Sequence, residues 1–168
     1  MNKHIFIING SGGAGKDTFV NIISKYIPTV NYSSVEKIKE AAKLLGWDGS
    51  KTEKDRKFLS DIKVLSSEYN NYPYISIQSK IEDFLEDSIN KFLFIHVREP
   101  SEIARIVKEY PVTTVLVKRS EIKHITSNMA DKGVFDYDYD VIINNDEGLT
   151  ELNEKAIEFC ERFGDINE

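Results

Sequence analysis

A run of glycines followed by a lysine is the part of the sequence with the clearest chemistry. Gly10, Gly12, Gly13 and Gly15 fall within six residues, and Lys16 follows them directly. Glycine lets successive backbone N–H groups turn inward around an anion, and a neighbouring lysine adds a positive point charge. A plain turn between a strand and a helix does not need four glycines and a lysine. The segment therefore predicts a loop that binds phosphate.

The segments on either side fit a loop of this kind. Ile5-Phe6-Ile7-Ile8 is a continuous apolar run, as in a strand buried on both faces, and apolar residues at helical spacing follow from Phe19 to Ile27. The spacing Gly10-x-x-x-x-Gly15-Lys16 matches the Walker A motif, which joins a strand to a helix and binds the phosphates of ATP. The residues predicted to contact ATP here are Gly10, Ser11, Gly12, Gly13, Ala14, Gly15, Lys16, Asp17 and Thr18.

The residue after the lysine departs from the usual motif. A Ser or Thr normally stands there and its hydroxyl binds Mg²⁺, whereas this chain has Asp17, with a hydroxyl only at Thr18. A carboxylate binds Mg²⁺ directly or through a bound water, so Asp17 and Thr18 are the predicted metal ligands. The alternative is that Asp17 only stabilises the start of the helix through its dipole.

The loop also resembles a known family. Its Gly-Lys-Asp-Thr form resembles the loop of phage-type deoxynucleoside monophosphate kinases, and Gly-Lys-Asp also occurs in animal-type phosphomevalonate kinases. Both belong to the nucleoside monophosphate kinase-like group of P-loop folds. The resemblance implies transfer of the γ-phosphoryl group of ATP, with Mg²⁺, to a phosphorylated small molecule, first a (deoxy)nucleoside monophosphate. Phosphomevalonate and dephospho-coenzyme A are alternative acceptors, and a non-catalytic ATP sensor is the alternative of another class.

The same resemblance implies where the acceptor binds. A segment containing Ser34 and Lys37 looks like the one that opens the acceptor-binding helices of these kinases. A later segment with Lys51 and Arg56 resembles their pattern in which an arginine meets the acceptor phosphate, so Arg56 is the first choice for that role. Five aromatic residues in or beside this region could stack on a base, with core packing as the alternative: Tyr32, Trp47, Tyr69, Tyr72 and Tyr74.

The segment from Phe94 to Pro100 resembles the Asp-Val-Arg region of the same kinases, but His96 stands where the aspartate is expected. The resemblance implies that Arg98 bridges donor and acceptor phosphates as a catalytic residue. Glu99 would orient Arg98 or the acceptor. Without the aspartate, Mg²⁺ binding falls to Asp17 or Glu99. A structural ion pair is the alternative for Arg98. His96 would contact the acceptor or a phosphate, and the alternative is that it is a core histidine.

Two further residues are predicted to bind the nucleotide. Arg119 follows a β-branched strand, at the place from which related kinases send an arginine over ATP, and this implies a catalytic role as well. It opens a polar stretch without apolar periodicity, and residues 119–135 are the predicted lid. Asn144 begins a turn that resembles the Asn-x-Gly turn near the adenine in such folds, although a plain turn explains it equally well.

The whole chain suits one domain. It has 168 residues, of which 40% are hydrophobic, and about five strand-like runs alternate with helical segments. Parallel strands need crossover connections, which place helices on both faces of a sheet. We therefore predict a three-layer α/β/α P-loop NTPase fold over residues 1–168, with residues 34–90 forming a helical acceptor-binding region.

Charge and cysteine content narrow the partners. A formal net charge of −6 argues against a broad surface for a nucleic-acid polymer. Cys160 is the only cysteine, so no intramolecular disulfide can form, and no apolar run approaches the length needed to span a bilayer. The expectation is a cytoplasmic protein that binds a phosphorylated small molecule and not a membrane, with a homodimer left open.

Overall fold

A computed structural model describes residues 2–120 and 133–164 of the chain. These described residues contain five strands and six helices, with three helices in succession between the second and third strands. The strands are β1 (His4–Asn9), β2 (Thr29–Ser33), β3 (Phe92–His96), β4 (Val112–Lys118) and β5 (Val141–Asn144). The helices are α1 (Lys16–Ile23), α2 (Glu36–Leu44), α3 (Glu53–Asn70), α4 (Tyr72–Glu86), α5 (Pro100–Glu109) and α6 (Leu149–Phe163).

The strands form one parallel sheet in the order β2-β3-β1-β4-β5. The strand before the glycine loop, β1, is therefore central, with β3 on one side and β4 on the other. All pairs are parallel, so the carboxyl ends of the strands meet at one edge of the sheet. The predicted α/β architecture, with about five parallel strands, is confirmed.

Alternating side chains of β1 supply two separate cores, one on each face of the sheet. Phe6 and Ile8 pack on one face with residues of α1 and α6, and Ile5 and Ile7 pack on the other with residues of α4 and α5. Successive side chains of a strand point to opposite faces, so a continuous apolar run is what a strand covered on both sides requires. Helices therefore cover both faces, as predicted.

The helices between β2 and β3 are not alike. α4 places Ile77, Ile81 and Phe84 in a core, whereas α2 and α3 contribute no described residue to either core, and none of the 18 residues of α3 is buried. Leu65 and Tyr69 continue the apolar spacing of α3 but remain exposed. α2 still buries Ile38 and Ala42, whereas α4 is one of the helices that cover the sheet.

The sequence also predicts where α1 ends and where a lid lies. Apolar spacing predicts that α1 runs to Ile27, but the helix ends at Ile23 and hydrogen bonds between residues three apart continue the chain, with Ile27 still buried. Most of the predicted lid, residues 121–132, lies outside the described residues. Within the described ranges, no helix combines the length and apolar character needed to cross a membrane.

Candidate active site

The glycine loop begins where β1 ends and leads directly into α1. Gly10 and Gly15 have φ angles of +147° and +101°, in the region that favours glycine. A Cβ on Gly10 would collide with the carbonyl oxygen of Val117 in β4, and one on Gly15 would collide with the side-chain amide of Asn145. At these two positions the loop therefore requires glycine both for its backbone angle and for its close contact with neighbouring chain.

Lys16 is the first residue of α1, and its side chain folds back over the loop. Its Nζ donates hydrogen bonds to the carbonyl oxygens of Gly10 and Ser11, at 2.9 Å for Ser11. The residue is only 9% exposed. A helix N-terminus and an ammonium group both favour an anion, and both are present at this loop.

Asn9, the last residue of β1, is fully buried and holds the loop in place. Its Oδ1 accepts a hydrogen bond from the N–H of Gly10 (2.8 Å), and its Nδ2 donates to the hydroxyl of Tyr139 (2.7 Å) and the carbonyl of Arg98 (3.1 Å). The Tyr139 hydroxyl donates in turn to the carbonyl of Val134 (2.8 Å). Burial raises the pKa of Tyr139 to about 12, so the hydroxyl keeps its proton. Sequence reasoning did not identify this network.

The buried side-chain amide of Asn145 connects the glycine loop with the ends of β4 and β5. Asn145 donates from Nδ2 to the carbonyl of Ala14 (2.9 Å) and from its N–H to the carbonyl of Lys118 (2.7 Å). Asp146 then accepts a hydrogen bond from the N–H of Ser120 (2.6 Å). The turn after β5 therefore connects the glycine loop with the end of β4, through a residue next to the predicted one.

The predicted nucleotide-binding residues Arg119 and Asn144 lie at the ends of the neighbouring strands β4 and β5. Asn144 is exposed, and its carbonyl accepts a hydrogen bond from Lys155 (2.6 Å). Arg119 is also exposed and borders an open depression of about 280 Å³. The depression is lined by Lys118, Arg119, Ser120 and Phe135. The strand ends thus frame a concave surface with two cationic side chains.

Asp17, Asn31 and His96 form a polar cluster where α1, β2 and β3 meet. The Nε2 of His96 lies 2.7 Å from Oδ1 of Asn31 and 3.6 Å from Oδ1 of Asp17. The Nδ2 of Asn31 lies 3.5 Å from the same carboxylate oxygen. An amide oxygen can only accept a hydrogen bond, so Nε2 of His96 carries a proton and donates a hydrogen bond to Oδ1 of Asn31.

His96 is neutral at neutral pH. Its side chain is 14% exposed, and this burial is the main reason that its pKa is lowered to about 4. The carboxylate of Asp17 acts in the opposite direction, while Lys16 and Arg98 lower the pKa further. The residue that replaces the expected acid therefore serves as a neutral hydrogen-bond donor near the loop.

The first turn of α1 carries side chains that could hold Mg²⁺, but not a full set of protein ligands. The Asp17 side chain is 79% exposed, and Thr18 beside it is exposed too. Among residues 2–120 and 133–164, no three His, Cys, Asp or Glu side chains form a ready-made metal site. Mg²⁺ usually keeps several waters and takes one or two carboxylates together with substrate phosphates. A single accessible carboxylate at the end of a phosphate loop fits that mode of binding.

Glu99, the other acid predicted near the site, is paired with a lysine of α3. The Nζ of Lys63 lies 2.7 Å from Oε1 of Glu99 and 3.3 Å from Oε2 of Glu102. Glu99 directly follows Arg98 and occupies the N-cap position of α5, without a capping hydrogen bond from its side chain. Lys63 was not a predicted site residue, because nothing in the spacing of α3 distinguishes it from the other lysines of that helix.

The remaining predicted acceptor residues lie in or beside α2 and α3. Ser34 is buried, and its hydroxyl donates to a backbone carbonyl at the end of β3 (3.3 Å). Lys37 is exposed and pairs with Glu40 (2.8 Å). Lys51 is exposed just before α3, and Arg56 is half-buried near the start of that helix. Ser34 thus hydrogen-bonds to a strand of the site.

Comparisons with known proteins support the fold. No family model and no curated protein sequence matches the chain. A solved thymidylate kinase from Ehrlichia chaffeensis is 11% identical, with a TM-score of 0.52 over 96% of this chain and 99% of that one. A sugar kinase from Janibacter sp. HTCC2649 is 12% identical, with a TM-score of 0.53 over 99% and 96%. The chain therefore shares its α/β fold with these two solved structures over nearly its full length.

Proposed function

We propose that this chain is an ATP-dependent kinase that transfers the γ-phosphoryl group to a phosphorylated small molecule, first a (deoxy)nucleoside monophosphate. The observation that carries the proposal is the Lys16 ammonium, folded onto a loop that requires Gly10 and Gly15. This loop lies at the carboxyl end of the central strand, where open parallel sheets bind their ligands. The fold shared with a thymidylate kinase and a sugar kinase supports the same class of reaction.

On the donor side, the backbone from Gly10 to Gly15 and the Lys16 ammonium bind the phosphates of ATP. Asp17 and Thr18 hold Mg²⁺, which supplies neutralisation of the phosphate charge when it is bound. Arg119 lies over the nucleotide. The depression that Arg119 borders and the nearby Asn144 are the proposed surroundings of the adenine.

The reaction breaks the bond between the γ-phosphorus and its bridging oxygen, and forms a new bond from that phosphorus to an acceptor oxygen. ADP is the leaving group. When the acceptor oxygen belongs to a phosphate monoester, it is largely ionised at neutral pH and no proton has to be removed. Lys16, Arg98 and Arg119 stabilise the charge on the transferring group, so catalysis depends on positioning and electrostatics.

The state of Glu99 favours a phosphate over a hydroxyl as the attacking group. A hydroxyl acceptor needs a base to take its proton. Burial is the largest single cause acting on Glu99 and raises its pKa, but the charge of Lys63 and the hydrogen bonds to the carboxylate together outweigh burial and hold this pKa below its usual value. A carboxylate that is ion-paired and weakly basic is poorly suited to remove a proton from an alcohol. An acceptor that is already a phosphate avoids this requirement.

Arg56 is proposed to bind the acceptor phosphate, with Ser34, Lys37 and Lys51 around it and Arg98 between the two phosphates. The aromatic residues near this region separate by burial. Tyr74 is a core residue at 2% exposure and cannot stack on a base, and Tyr69 is 87% exposed. Tyr32 is half-buried, and burial is the main reason that its own pKa is raised. The nearby Tyr72 adds a smaller electrostatic contribution in the same direction. Tyr32 and Tyr72 are therefore the better candidates for contact with a base.

The proposal is tested by measuring ADP formation with and without a panel of acceptors. The panel contains nucleoside and deoxynucleoside monophosphates, phosphomevalonate and dephospho-coenzyme A. We expect ADP formation to depend on a nucleoside monophosphate and to fall roughly 100-fold or more in Lys16→Met, because a charge at the transition state is lost. Lys25→Met, which removes an exposed lysine just after α1, is the matched control and should keep full activity.

A second candidate function is an ATP sensor that binds nucleotide without transferring phosphate. It is favoured by one observation, the neutral His96 in place of an acid. The panel separates the two functions. If ATP binds but no acceptor increases ADP formation, the kinase proposal is wrong and the sensor is supported.

A further inference from the structure

Lys63, Glu99 and Glu102 form an ion cluster between α3 and the first turn of α5. The Lys63 and Glu102 side chains are only 17% and 15% exposed, whereas Glu99 is 38% exposed, so two of the three members lie largely out of solvent. The same helix carries a second pair, Lys57 with Asp61, whose side chains are 75% and 55% exposed. Exposed pairs contribute little to stability, whereas removing one partner from a buried pair leaves an uncompensated charge.

The lysine is the member on which this cluster depends. Burial by itself lowers the pKa of Lys63, but the carboxylates of Glu102 and Glu99 outweigh burial and raise it. Without the lysine, two carboxylates would share one partly buried site, and one of them would have to take a proton or move into solvent. Lys63 therefore holds the two acids of α5 together and joins them to α3.

Other attachments of α3 are weaker than those of the helices that cover the sheet. None of its residues is buried, so burial of apolar surface does less to fix its position than in α1 or α4. Its first turn is closed by a capping box between Thr52 and Asp55, which is local to the helix. For a helix held in this way, an anchored side chain near the middle helps to fix its rotation. Lys63 lies near the middle of α3.

The anchor connects the two predicted phosphate-binding arginines. Arg56 lies seven residues before Lys63, nearly two helical turns, so both side chains leave the same face of α3. Glu99 directly follows Arg98, whose carbonyl accepts a hydrogen bond from Asn9. Asn9 also holds the glycine loop. The Lys63 cluster thus meets the chain just after β3, the strand next to β1.

We propose that Lys63 is a positioning residue for the acceptor, because it keeps the face of α3 that carries Arg56 against the strand end that carries Arg98. The consequence for turnover rests on the proposed kinase function, whereas the anchoring of α3 does not. Loss of Lys63 should weaken acceptor binding. ATP binding should be unchanged, because the hydrogen bonds that hold the glycine loop do not involve α3.

Amide hydrogen exchange tests the anchor without any knowledge of the acceptor. Lys63→Met is compared with the matched control Lys57→Met, which removes the exposed lysine of the same helix. Exchange in α3 should be at least about tenfold faster in Lys63→Met only, because only this variant leaves buried charges unpaired. Lys63→Arg, which keeps a charge that pairs with both acids, should restore protection. Equal protection of α3 in all of these proteins would overturn the proposal.

A second variant covers the case in which Lys63→Met does not fold. The triple variant Lys63→Met, Glu99→Gln, Glu102→Gln removes all three charges and leaves no unpaired ion. It should fold and still show faster exchange in α3. If this folded variant protects α3 as well as the unmodified chain does, the ion cluster is not the anchor and the proposal is wrong.

The kinetic test separates positioning from general stability. With nucleoside monophosphates as acceptors, Lys63→Met should raise the acceptor KM about tenfold while the Kd for ATP stays within about twofold. An equal loss of ATP and acceptor affinity would mean that Lys63 only supports the fold, which contradicts the proposal. If the unmodified chain turns over no acceptor, the kinase function fails, and hydrogen exchange still decides whether Lys63 anchors α3.

Discussion

The glycine loop and helix α3 position charged groups by opposite means. The loop is held by the buried amides of Asn9 and Asn145. Gly10 and Gly15 lie so close to neighbouring atoms that a Cβ at either position would collide with them. α3 has no buried residue, and its clearest link to the sheet is an ion cluster around Lys63. One region is fixed by the core, and the other by charge near the surface.

This difference bears on how the two halves of the site can move. The loop cannot shift without breaking buried hydrogen bonds, which costs free energy because the freed groups find no water. α3 can shift without exposing either core. A kinase must exclude water from the transferring phosphoryl group. We therefore expect the proposed acceptor side, together with the predicted lid, to carry any closure around substrates, with the glycine loop as the fixed reference.

The largest effect is expected from a substitution that disrupts the rigid glycine loop. Gly10→Ala would force an alanine to a φ of +147° and press its Cβ against the Val117 carbonyl. Both the angle and the collision with backbone are unfavourable, so the free energy of unfolding should fall by about 4 kcal/mol. ATP affinity should fall with it. Urea unfolding and equilibrium ATP binding measure the two effects.

Gly12→Ala is the matched control for that substitution. An added Cβ at Gly12 meets no atom within 4 Å, and its φ is not in the region reserved for glycine. Stability should change by no more than about 0.5 kcal/mol. If both alanine variants lose the same stability, the loop is sensitive to any substitution and its specific backbone contacts are not what fixes it.

The next effect concerns His96, which lies where the two halves of the site meet. Its pKa of about 4 in the folded chain is below the ordinary value of 6.5, so the unfolded chain binds the proton first as pH falls. Stability from this group is therefore complete above about pH 6.5 and decreases toward pH 4. The loss should be on the order of 3 kcal/mol.

Urea unfolding at pH 7 and pH 4.5 measures this loss in the unmodified chain and in His96→Gln. The glutamine amide can still donate to Asn31 but does not titrate, so the variant should lack the His96 contribution. Other acids titrate in both proteins, and the difference between the proteins isolates the histidine. An identical pH dependence in the two proteins would contradict the assignment of a buried, neutral His96.

Removing one hydroxyl behind the loop should have a smaller effect. Tyr139→Phe leaves the Nδ2 of Asn9 and the carbonyl of Val134 without one hydrogen-bond partner. The free energy of unfolding should fall by about 2 kcal/mol, because buried polar groups lose a partner. Tyr137→Phe removes a hydroxyl from the neighbouring ring, outside this network, and should cost less. Thermal unfolding of the two variants makes the comparison.

The smallest expected effect lies on the acceptor side. Lys37 pairs with Glu40 on the exposed surface of α2. Lys37→Ala should leave the free energy of unfolding nearly unchanged, because exposed ion pairs are worth little. An effect on the acceptor KM without an effect on stability would support a binding role for Lys37. A stability loss as large as that of Tyr139→Phe would remove the contrast between the two regions.

Much of the fold is readable from local sequence, because its signals are local. Continuous apolar runs predict strands, and the run Ile5-Phe6-Ile7-Ile8 lies in β1 as expected. The glycine spacing places the loop correctly between β1 and α1. The end of α1 is not readable in the same way, since Ile27 continues the apolar spacing but is buried from a turn beyond the helix.

The supports of the site were not predictable, because their partners are distant in the chain. Asn145 contacts Ala14 across 131 residues, and Lys63 reaches Glu99 across 36. Neither spacing carries a motif. Asn9 offered one usable signal, since it is a polar residue that ends an otherwise apolar strand directly before the glycine loop. Such a residue needs a buried hydrogen-bond partner, and the loop is the nearest source of one.

The most direct test of the proposed function follows the phosphoryl group itself. ATP labelled in the γ-phosphate is incubated with the chain, Mg²⁺ and a nucleoside monophosphate, and the labelled products are separated. We predict that the label appears in a nucleoside diphosphate in the same amount as the ADP formed, and that Lys16→Met abolishes this transfer. Label found only in ATP or in inorganic phosphate, across the full panel of acceptors, would contradict the account.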